Sequence, residues 1–195
     1  VPLIQKETLI NLIDSYEDGL SILTTVLNEP YGYVRVKKDE NGNALSIVEE
    51  RDATQDEKEI KEIFTGVLCA NAEDLKKGLS EIGNDNAAGE FYLTDIVSIM
   101  ANKGIKINTH IASNNEVKGA NSKEELAQLE AIYRSMKVKD ILDMGITVSD
   151  PDRLDIRGQV EAGKDCSIDV NVIIYGDVKL GDNVSIGPNT ILKDV

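Results

Sequence analysis

The first 150 residues alternate between two hydrophobic patterns. Apolar residues that recur every three or four positions predict amphipathic helices, whereas short unbroken apolar runs predict buried strands. Asn41-Gly42, between two such runs, predicts a hairpin turn. Interleaved strands and helices indicate an α/β fold. The predicted strands are 21–27, 33–37, 45–50, 63–70 and 105–111, and the predicted helices are 5–16, one capped by Asn71, one around Ile96–Met100, and one opened by a capping box at Ser122–Glu125.

From residue 154 onward the apolar period becomes six. A strand repeats every two residues and a helix every 3.6, so neither element alone explains this spacing. The pattern is typical of a β-solenoid, in which each hexad forms one flat side and a turn. Asp150-Pro151 marks the change of pattern. The two series in phase are Leu154, Val160, Cys166, Val172, Val178, Val184 and Thr190, and Ile156, Ala162, Ile168, Ile174, Leu180, Ile186 and Leu192.

Composition narrows the classes of function. The chain has 35 acidic and 21 basic residues, a net charge of −14, which argues against partners such as nucleic acid or an anionic membrane surface. No apolar run approaches the roughly 20 residues of a membrane span. Since His110 is the single histidine, catalysis by a Ser-His or Cys-His pair is disfavoured. Cys69 and Cys166 lie outside metal-binding spacings and are expected to be buried thiols in a reducing compartment.

Several short motifs occur in a specific order before the hexads begin. Together with the hexads they closely resemble the bacterial bifunctional N-acetylglucosamine-1-phosphate uridyltransferase/glucosamine-1-phosphate acetyltransferase family. The resemblance covers the whole chain. The segments that carry it are Val1–Ile4, Glu29–Tyr33, Ile47–Thr54, Thr65-Gly66, Gly89–Asp95, Glu116–Asn121 and Asp150-Pro151.

The resemblance implies a partial Rossmann-like nucleotidyltransferase domain followed by the start of a left-handed β-helix of hexapeptide repeats. Residues 1–120 would be its sugar-binding half, 121–150 a linker helix, and 151–195 the first coils. The parent enzyme would transfer a uridylyl group from UTP to N-acetylglucosamine 1-phosphate with Mg²⁺, and acetylate glucosamine 1-phosphate from acetyl-CoA. It would be a cytoplasmic homotrimer whose product, UDP-N-acetylglucosamine, supplies peptidoglycan and lipopolysaccharide synthesis.

The resemblance also assigns candidate binding residues. Glu49 matches the acceptor for sugar hydroxyls, and Asn121 matches a metal ligand whose amide oxygen suits Mg²⁺. Tyr92 and Thr94 match residues that line the sugar pocket, and Gly32 belongs to the same pocket. Simpler roles stay open: a surface glutamate for Glu49, an N-cap for Asn121 or Thr94, and a core aromatic for Tyr92.

Two positions depart from the family pattern. Val34 stands where the family has a glycine whose backbone approaches the sugar, and a β-branched residue disfavours positive φ there. Phe64 stands where the family has an asparagine that bonds the sugar. Each change could cost a few kcal/mol of binding, which raises the expectation of a weakened or reshaped sugar site.

The resemblance further predicts that the chain is an internal fragment. It begins with Val1 rather than Met, its hexads continue to the last residues, and it contains no Gly-rich phosphate loop. The family's acetyltransferase histidine would lie in later coils. We therefore expect no catalytic residue to be retained and the isolated chain to be inactive. Two alternatives stay open: a degenerate, non-catalytic binding or structural module, and a related nucleotidyltransferase that acts on a different sugar phosphate.

Overall fold

The computed structural model describes residues 1–14, 16, 19–120 and 122–195, which fall into two compact units, Val1–Lys118 and Gly119–Val195. The first unit is a sheet covered by helices, and the second carries parallel strands stacked in successive coils. The predicted fold class, an α/β domain followed by the start of a β-helix, is confirmed. The helix that the sequence assigns to a linker lies within the second unit.

A five-stranded sheet forms the centre of the first unit, with the strand order β3-β2-β4-β1-β5. β1 pairs in parallel with β5 and antiparallel with β4, and β2 pairs antiparallel with both β3 and β4. The strands are β1 (Leu20–Val26), β2 (Arg35–Lys38), β3 (Ala44–Val48), β4 (Glu62–Ala70) and β5 (Ile107–Ile111), and the helices are α1 (Lys6–Asp14), α2 (Gln55–Lys58), α3 (Ala72–Leu79), α4 (Asp95–Asn102) and α5 (Asn114–Val117).

The alternation of side chains along β1 explains why helices cover both faces of this sheet. Ile22 joins a buried cluster with Ile96 and Met100 of α4. Its neighbour Leu23 points to the opposite face, where it packs with Leu12 of α1. Because both faces of β1 are buried, its sequence is an apolar run rather than an alternating one.

Helix starts follow the capping residues of the sequence. The Asn71 side chain accepts the Glu73 N–H at the start of α3, as predicted. The capping box at Ser122 is also confirmed, since its hydroxyl accepts the Glu125 N–H. Thr54 opens α2 with a second capping box, which the sequence analysis did not identify.

The second unit begins with a long helix and continues into two parallel three-stranded sheets, β10-β8-β6 and β11-β9-β7. Residues 18 apart are partners across each of the later pairs, as in Leu154 with Val172 and Ile173 with Ile191. One coil therefore contains three hexads. The elements are α6 (Lys123–Asp143), β6 (Thr147–Val148), a 3₁₀ turn (Pro151–Arg153), β7 (Leu154–Ala162), β8 (Ser167–Ile168), β9 (Val172–Leu180), β10 (Ser185–Ile186) and β11 (Ile191–Lys193).

Both hexad series point into the core of the coils. Their central members are fully buried, and Ala162, Leu180, Val184 and Leu192 are half-buried against the same cluster. Val138 and Ile141 of α6 join that cluster, so the helix covers the apolar interior beside the first coil. A terminal cap of this kind shields a repeat array from water.

The corners of the coils require a left-handed backbone. Asp165, Asn171, Asn183 and Asn189 all have φ near +60°, and each lies three residues after a member of the second hexad series. Asn and Asp adopt this conformation more readily than other side chains do. Gly158 serves a different need, because a Cβ at this position would meet the Gly176 carbonyl oxygen of the next coil at 1.9 Å.

Candidate functional site

Glu49 and Thr94, distant in sequence, meet at one end of the sheet. Glu49 directly follows β3, and Thr94 directly precedes α4. The Thr94 hydroxyl donates to a Glu49 carboxylate oxygen at 3.0 Å, and both residues are half-buried. Thr94 occupies the N-cap position of α4, but its side chain makes no capping hydrogen bond to the helix and donates to Glu49 instead. The bond leaves the second carboxylate oxygen of Glu49 with its acceptor capacity.

The strand register predicts that Val34 and Phe64, the two positions that depart from the family pattern, lie next to Glu49. Arg35 is the partner of Val48 on β3 and of Ile63 on β4. Continuing both antiparallel pairings by one residue places Val34 alongside Glu49 and Phe64. Phe64 is 8% exposed and belongs to the buried cluster, against which Val34 also packs. The register therefore predicts an apolar patch beside Glu49.

The backbone at Val34 carries no left-handed strain. Among the described residues, non-glycine side chains with positive φ occur only between residues 165 and 194. Gly32 does have a positive φ, of 81°, in an exposed turn where the Tyr33 N–H donates to the Pro30 carbonyl. This is the position of a type II turn that requires glycine. The chain passes from this turn through Val34 into β2.

Tyr92 lies two residues before Thr94 and is surrounded by carboxylates. It is half-buried and belongs to none of the described core clusters, so the core-aromatic alternative is wrong. Burial, followed by the charges of Asp52, Glu49 and Glu90, raises the pKa of its phenol above the ordinary value. The hydroxyl therefore stays protonated at neutral pH and can donate a hydrogen bond.

Two acidic residues that the sequence analysis did not single out also belong here. Burial, and then the charge of Asp52, raises the pKa of the Asp95 carboxyl above its ordinary value. Asp52 accepts the N–H of Ala87 through Oδ1 at 2.8 Å. Asp52 lies within the Ile47–Thr54 segment that carries the resemblance, but a carboxylate in a loop gives no sequence signal of its own.

The residues that follow Val34 and Glu49 in the sequence form a buried ion pair. Arg35 is 2% exposed, and its Nη2 lies 2.8 Å from the Glu50 carboxylate. Arg35 also donates to the Tyr33 carbonyl, which ties the Gly32 turn to the strand. Arg35 and Glu50 line a cleft of about 430 Å³ together with Lys58 and Lys61. A buried charge needs a partner of this kind, because removing Glu50 would leave the Arg35 charge buried and unpaired.

Asn121 lies outside the described residues, so its expected role as a metal ligand stays a prediction. Its alternative role as the N-cap of α6 is wrong, because Ser122 is the N-cap of that helix. Within residues 1–14, 16, 19–120 and 122–195, no three His, Cys, Asp or Glu side chains converge in a way that could hold a metal ion. In the same ranges, no helix is both long enough and apolar enough to cross a lipid bilayer.

The chain is similar over its whole length to known proteins. The chain is 46% identical over 197 residues to the bifunctional protein GlmU of Methylococcus capsulatus, and 46% identical over 195 residues to that of Francisella philomiragia. Both alignments include the whole of this chain. Over its whole length the chain is similar to part of these two GlmU proteins. The resemblance inferred from the motifs is thereby confirmed, and the chain spans 43% of the length of each of these two GlmU proteins.

The family model described as bacterial transferase hexapeptide (six repeats) matches residues 163–194, which contain β8 to β11. Solved structures match this chain as well. A protein assigned as a glucose-1-phosphate thymidylyltransferase of Bacillus anthracis, in complex with sucrose, shares 17% identity at a TM-score of 0.41, covering 54% of this chain and 39% of its own. A nucleoside-diphosphate-sugar pyrophosphorylase of Vibrio cholerae shares 16% sequence identity at a TM-score of 0.46. The match covers 60% of this chain and 48% of that one. These TM-scores are too low for the likeness to bear on function.

Proposed function

We propose that this chain supplies the sugar-phosphate side of a nucleotidyltransferase site that makes UDP-N-acetylglucosamine. The observation that carries the proposal is the Glu49 carboxylate, held 3.0 Å from the Thr94 hydroxyl. The strand register predicts the apolar patch of Val34 and Phe64 beside it. A half-buried carboxylate next to apolar side chains is a typical arrangement for binding a sugar, because the sugar presents both hydroxyl donors and C–H faces.

Each residue has a distinct part in this proposal. The free oxygen of Glu49 accepts a sugar hydroxyl, and a site built around such an acceptor discriminates against sugars that lack the hydroxyl. The protonated Tyr92 phenol donates to an acceptor on the sugar. Thr94 orients the Glu49 carboxylate, and the Gly32 turn sets the path of the chain beside Val34.

The wider activity belongs to the same proposal, since the chain spans 43% of the length of the GlmU relatives. It comprises uridylyl transfer from UTP to N-acetylglucosamine 1-phosphate, acetylation of glucosamine 1-phosphate from acetyl-CoA, a homotrimer, and a cytoplasmic role in peptidoglycan and lipopolysaccharide synthesis. Mg²⁺ would be the cofactor, with Asn121 as one ligand. The described residues do not by themselves form a Mg²⁺ site.

Calorimetric titration of N-acetylglucosamine 1-phosphate into the chain tests the sugar site. We expect Glu49→Gln to weaken binding by about 1–3 kcal/mol, because a sugar hydroxyl loses a charged acceptor. Glu40→Gln, an exposed change in the β2–β3 hairpin, should leave binding unchanged. A folded chain that binds no sugar phosphate would contradict the proposal.

A second candidate function is a non-catalytic module of the same fold, which the burial of Phe64 favours. In that case no sugar phosphate binds, and Glu49→Gln has no effect. Val34→Gly combined with Phe64→Asn should then restore binding. Because Phe64 is a core residue, a thermal melt must accompany this variant. Titration with other sugar phosphates separates the remaining alternative, a nucleotidyltransferase for a different sugar.

A further inference from the structure

Asp52 lies in a tight turn that Glu49 closes. The Glu49 carbonyl accepts the N–H groups of Asp52 at 3.0 Å and Ala53 at 2.9 Å. The backbone positions of Glu49 and Asp52 are therefore fixed to one another. From this turn the Asp52 carboxylate reaches a separate part of the chain, where its Oδ1 accepts the Ala87 N–H at 2.8 Å.

The loop that contains Ala87 is closed on itself by one side chain. The Asn86 amide oxygen accepts the N–H groups of Ala88 and Glu90, each at 3.2 Å, and its NH₂ group donates to the Glu90 carbonyl at 2.5 Å. Gly89 supplies a positive φ of 67°. A loop with this many internal bonds moves as one piece, so a single attachment can fix its position.

This loop leads within two residues to Tyr92 and then to Thr94. Two bonds therefore join the Glu49 turn to the segment that precedes α4: one from Thr94 to Glu49, and one from Ala87 to Asp52. With two points of attachment, the segment between them cannot swing about either one. The spacing of Tyr92 from Glu49 is set between these two bonds.

We propose that Asp52 is a positioning residue for the sugar site: by accepting the Ala87 N–H, its carboxylate clamps the 84–90 loop and sets the distances of Tyr92 and Thr94 from Glu49. The inference rests on the proposed function for its consequence in sugar binding, but the clamp itself can be measured without any ligand. The charge of Asp52 has a separate effect, because it raises the pKa of the nearby Tyr92 phenol.

Two substitutions separate the clamp from the charge. Asp52→Ala removes both, whereas Asp52→Asn removes the charge and keeps an amide oxygen that can accept the Ala87 N–H. Asp85→Asn, an exposed change of the same charge within the loop, is the matched control. Amide hydrogen exchange at Ala87 reports the clamp, NMR titration of the Tyr92 ring reports the charge, and calorimetry with N-acetylglucosamine 1-phosphate reports the site.

We expect Asp52→Ala to speed exchange at Ala87 and to weaken sugar binding, each by about tenfold, on the scale of a hydrogen bond to a charged group. Asp52→Asn should keep most of the protection and most of the affinity. Both substitutions should lower the Tyr92 pKa, since a nearby negative charge is lost. Asp85→Asn should leave the Ala87 exchange and the sugar affinity unchanged.

Unchanged exchange at Ala87 in Asp52→Ala would overturn the clamp. Equal losses of affinity in Asp52→Asn and Asp52→Ala would overturn positioning in favour of a purely electrostatic effect. If the unmodified chain binds no sugar phosphate, the proposed function fails, and the clamp is then decided by the exchange data alone. If Asp52→Ala does not fold, the comparison of Asp52→Asn with the unmodified chain decides, because loss of protection there also contradicts the proposal.

Discussion

At the scale of single residues, the interior of the coils leaves no room for charge. Ile174 is fully buried, and its partner in the next coil is Leu192. We expect Ile174→Asp to lower the free energy of unfolding by about 4 kcal/mol or more, because an unpaired carboxylate would enter an apolar core. Ile191→Asp is the control, since Ile191 is 65% exposed on the outer side of β11. Chemical denaturation of both variants checks this, and equal losses would show that the inward phase is wrong.

Single residues also mark where sequence reasoning stops. The period of six alone is sufficient to identify the buried members of the hexads. The inward positions recur every six residues, so they can be found without knowing which segments pack together. The Glu49–Thr94 bond joins residues 45 positions apart, and only the resemblance connected them. The burial of Arg35 had no signal in the sequence. An arginine between two apolar residues is expected on the exposed face of a strand, because arginine is mostly exposed in folded proteins.

At the scale of elements, α2 depends on one glutamate at its first turn. Glu57 accepts the Thr54 N–H and hydroxyl, each at 2.9 Å, and its other carboxylate oxygen lies 3.0 Å from the Lys37 ammonium. The Thr54 backbone bond is the largest cause, followed by Lys37, and together with the Thr54 hydroxyl they lower the Glu57 pKa from 4.5 to about 2. A charged carboxylate is therefore part of the folded turn.

This depressed pKa predicts the direction of a pH dependence. The carboxylate stabilises the folded state fully above its unfolded pKa near 4.5, and this contribution is lost as the pH falls towards about 2. Glu57→Gln should therefore remove part of the stability loss between pH 4.5 and about 2. Thr54→Ser is the control, because it keeps the capping box and should lose stability over the same pH range as the unmodified chain. Denaturation curves between pH 2 and pH 6 check it, and an unaltered pH profile in Glu57→Gln would contradict it.

The elements themselves were largely predictable, because periodicity and caps are local. The strand expected at 21–27 is Leu20–Val26, and the one expected at 63–70 is Glu62–Ala70. α2 and α5 were missed, since helices of four residues are too short to show an apolar period. The strand order was beyond sequence reasoning as well, because pairing joins distant segments and leaves no local trace.

At the scale of the whole molecule, we predict that the chain by itself transfers no uridylyl group. Stabilising the transferring phosphoryl group requires backbone or basic donors around the triphosphate, and the sequence contains no Gly-rich basic loop to supply them. A coupled assay for pyrophosphate release from UTP and N-acetylglucosamine 1-phosphate checks this, with the GlmU protein of Methylococcus capsulatus assayed alongside. Turnover by the purified chain would show that other residues provide the donors.

The 18-residue register also decides which changes in length the gene can tolerate. Each residue of β7 faces a partner on β9 that lies 18 residues later, as Gly158 faces Gly176. Losing one codon between them would shift the register of every later residue by one position. Aliphatic side chains that now point into the core would then point towards water. Losing or gaining 18 codons would instead remove or add a complete coil and leave all remaining partners in phase. Length variation in this region should therefore occur in whole coils, and point deletions should be far more harmful than much longer ones.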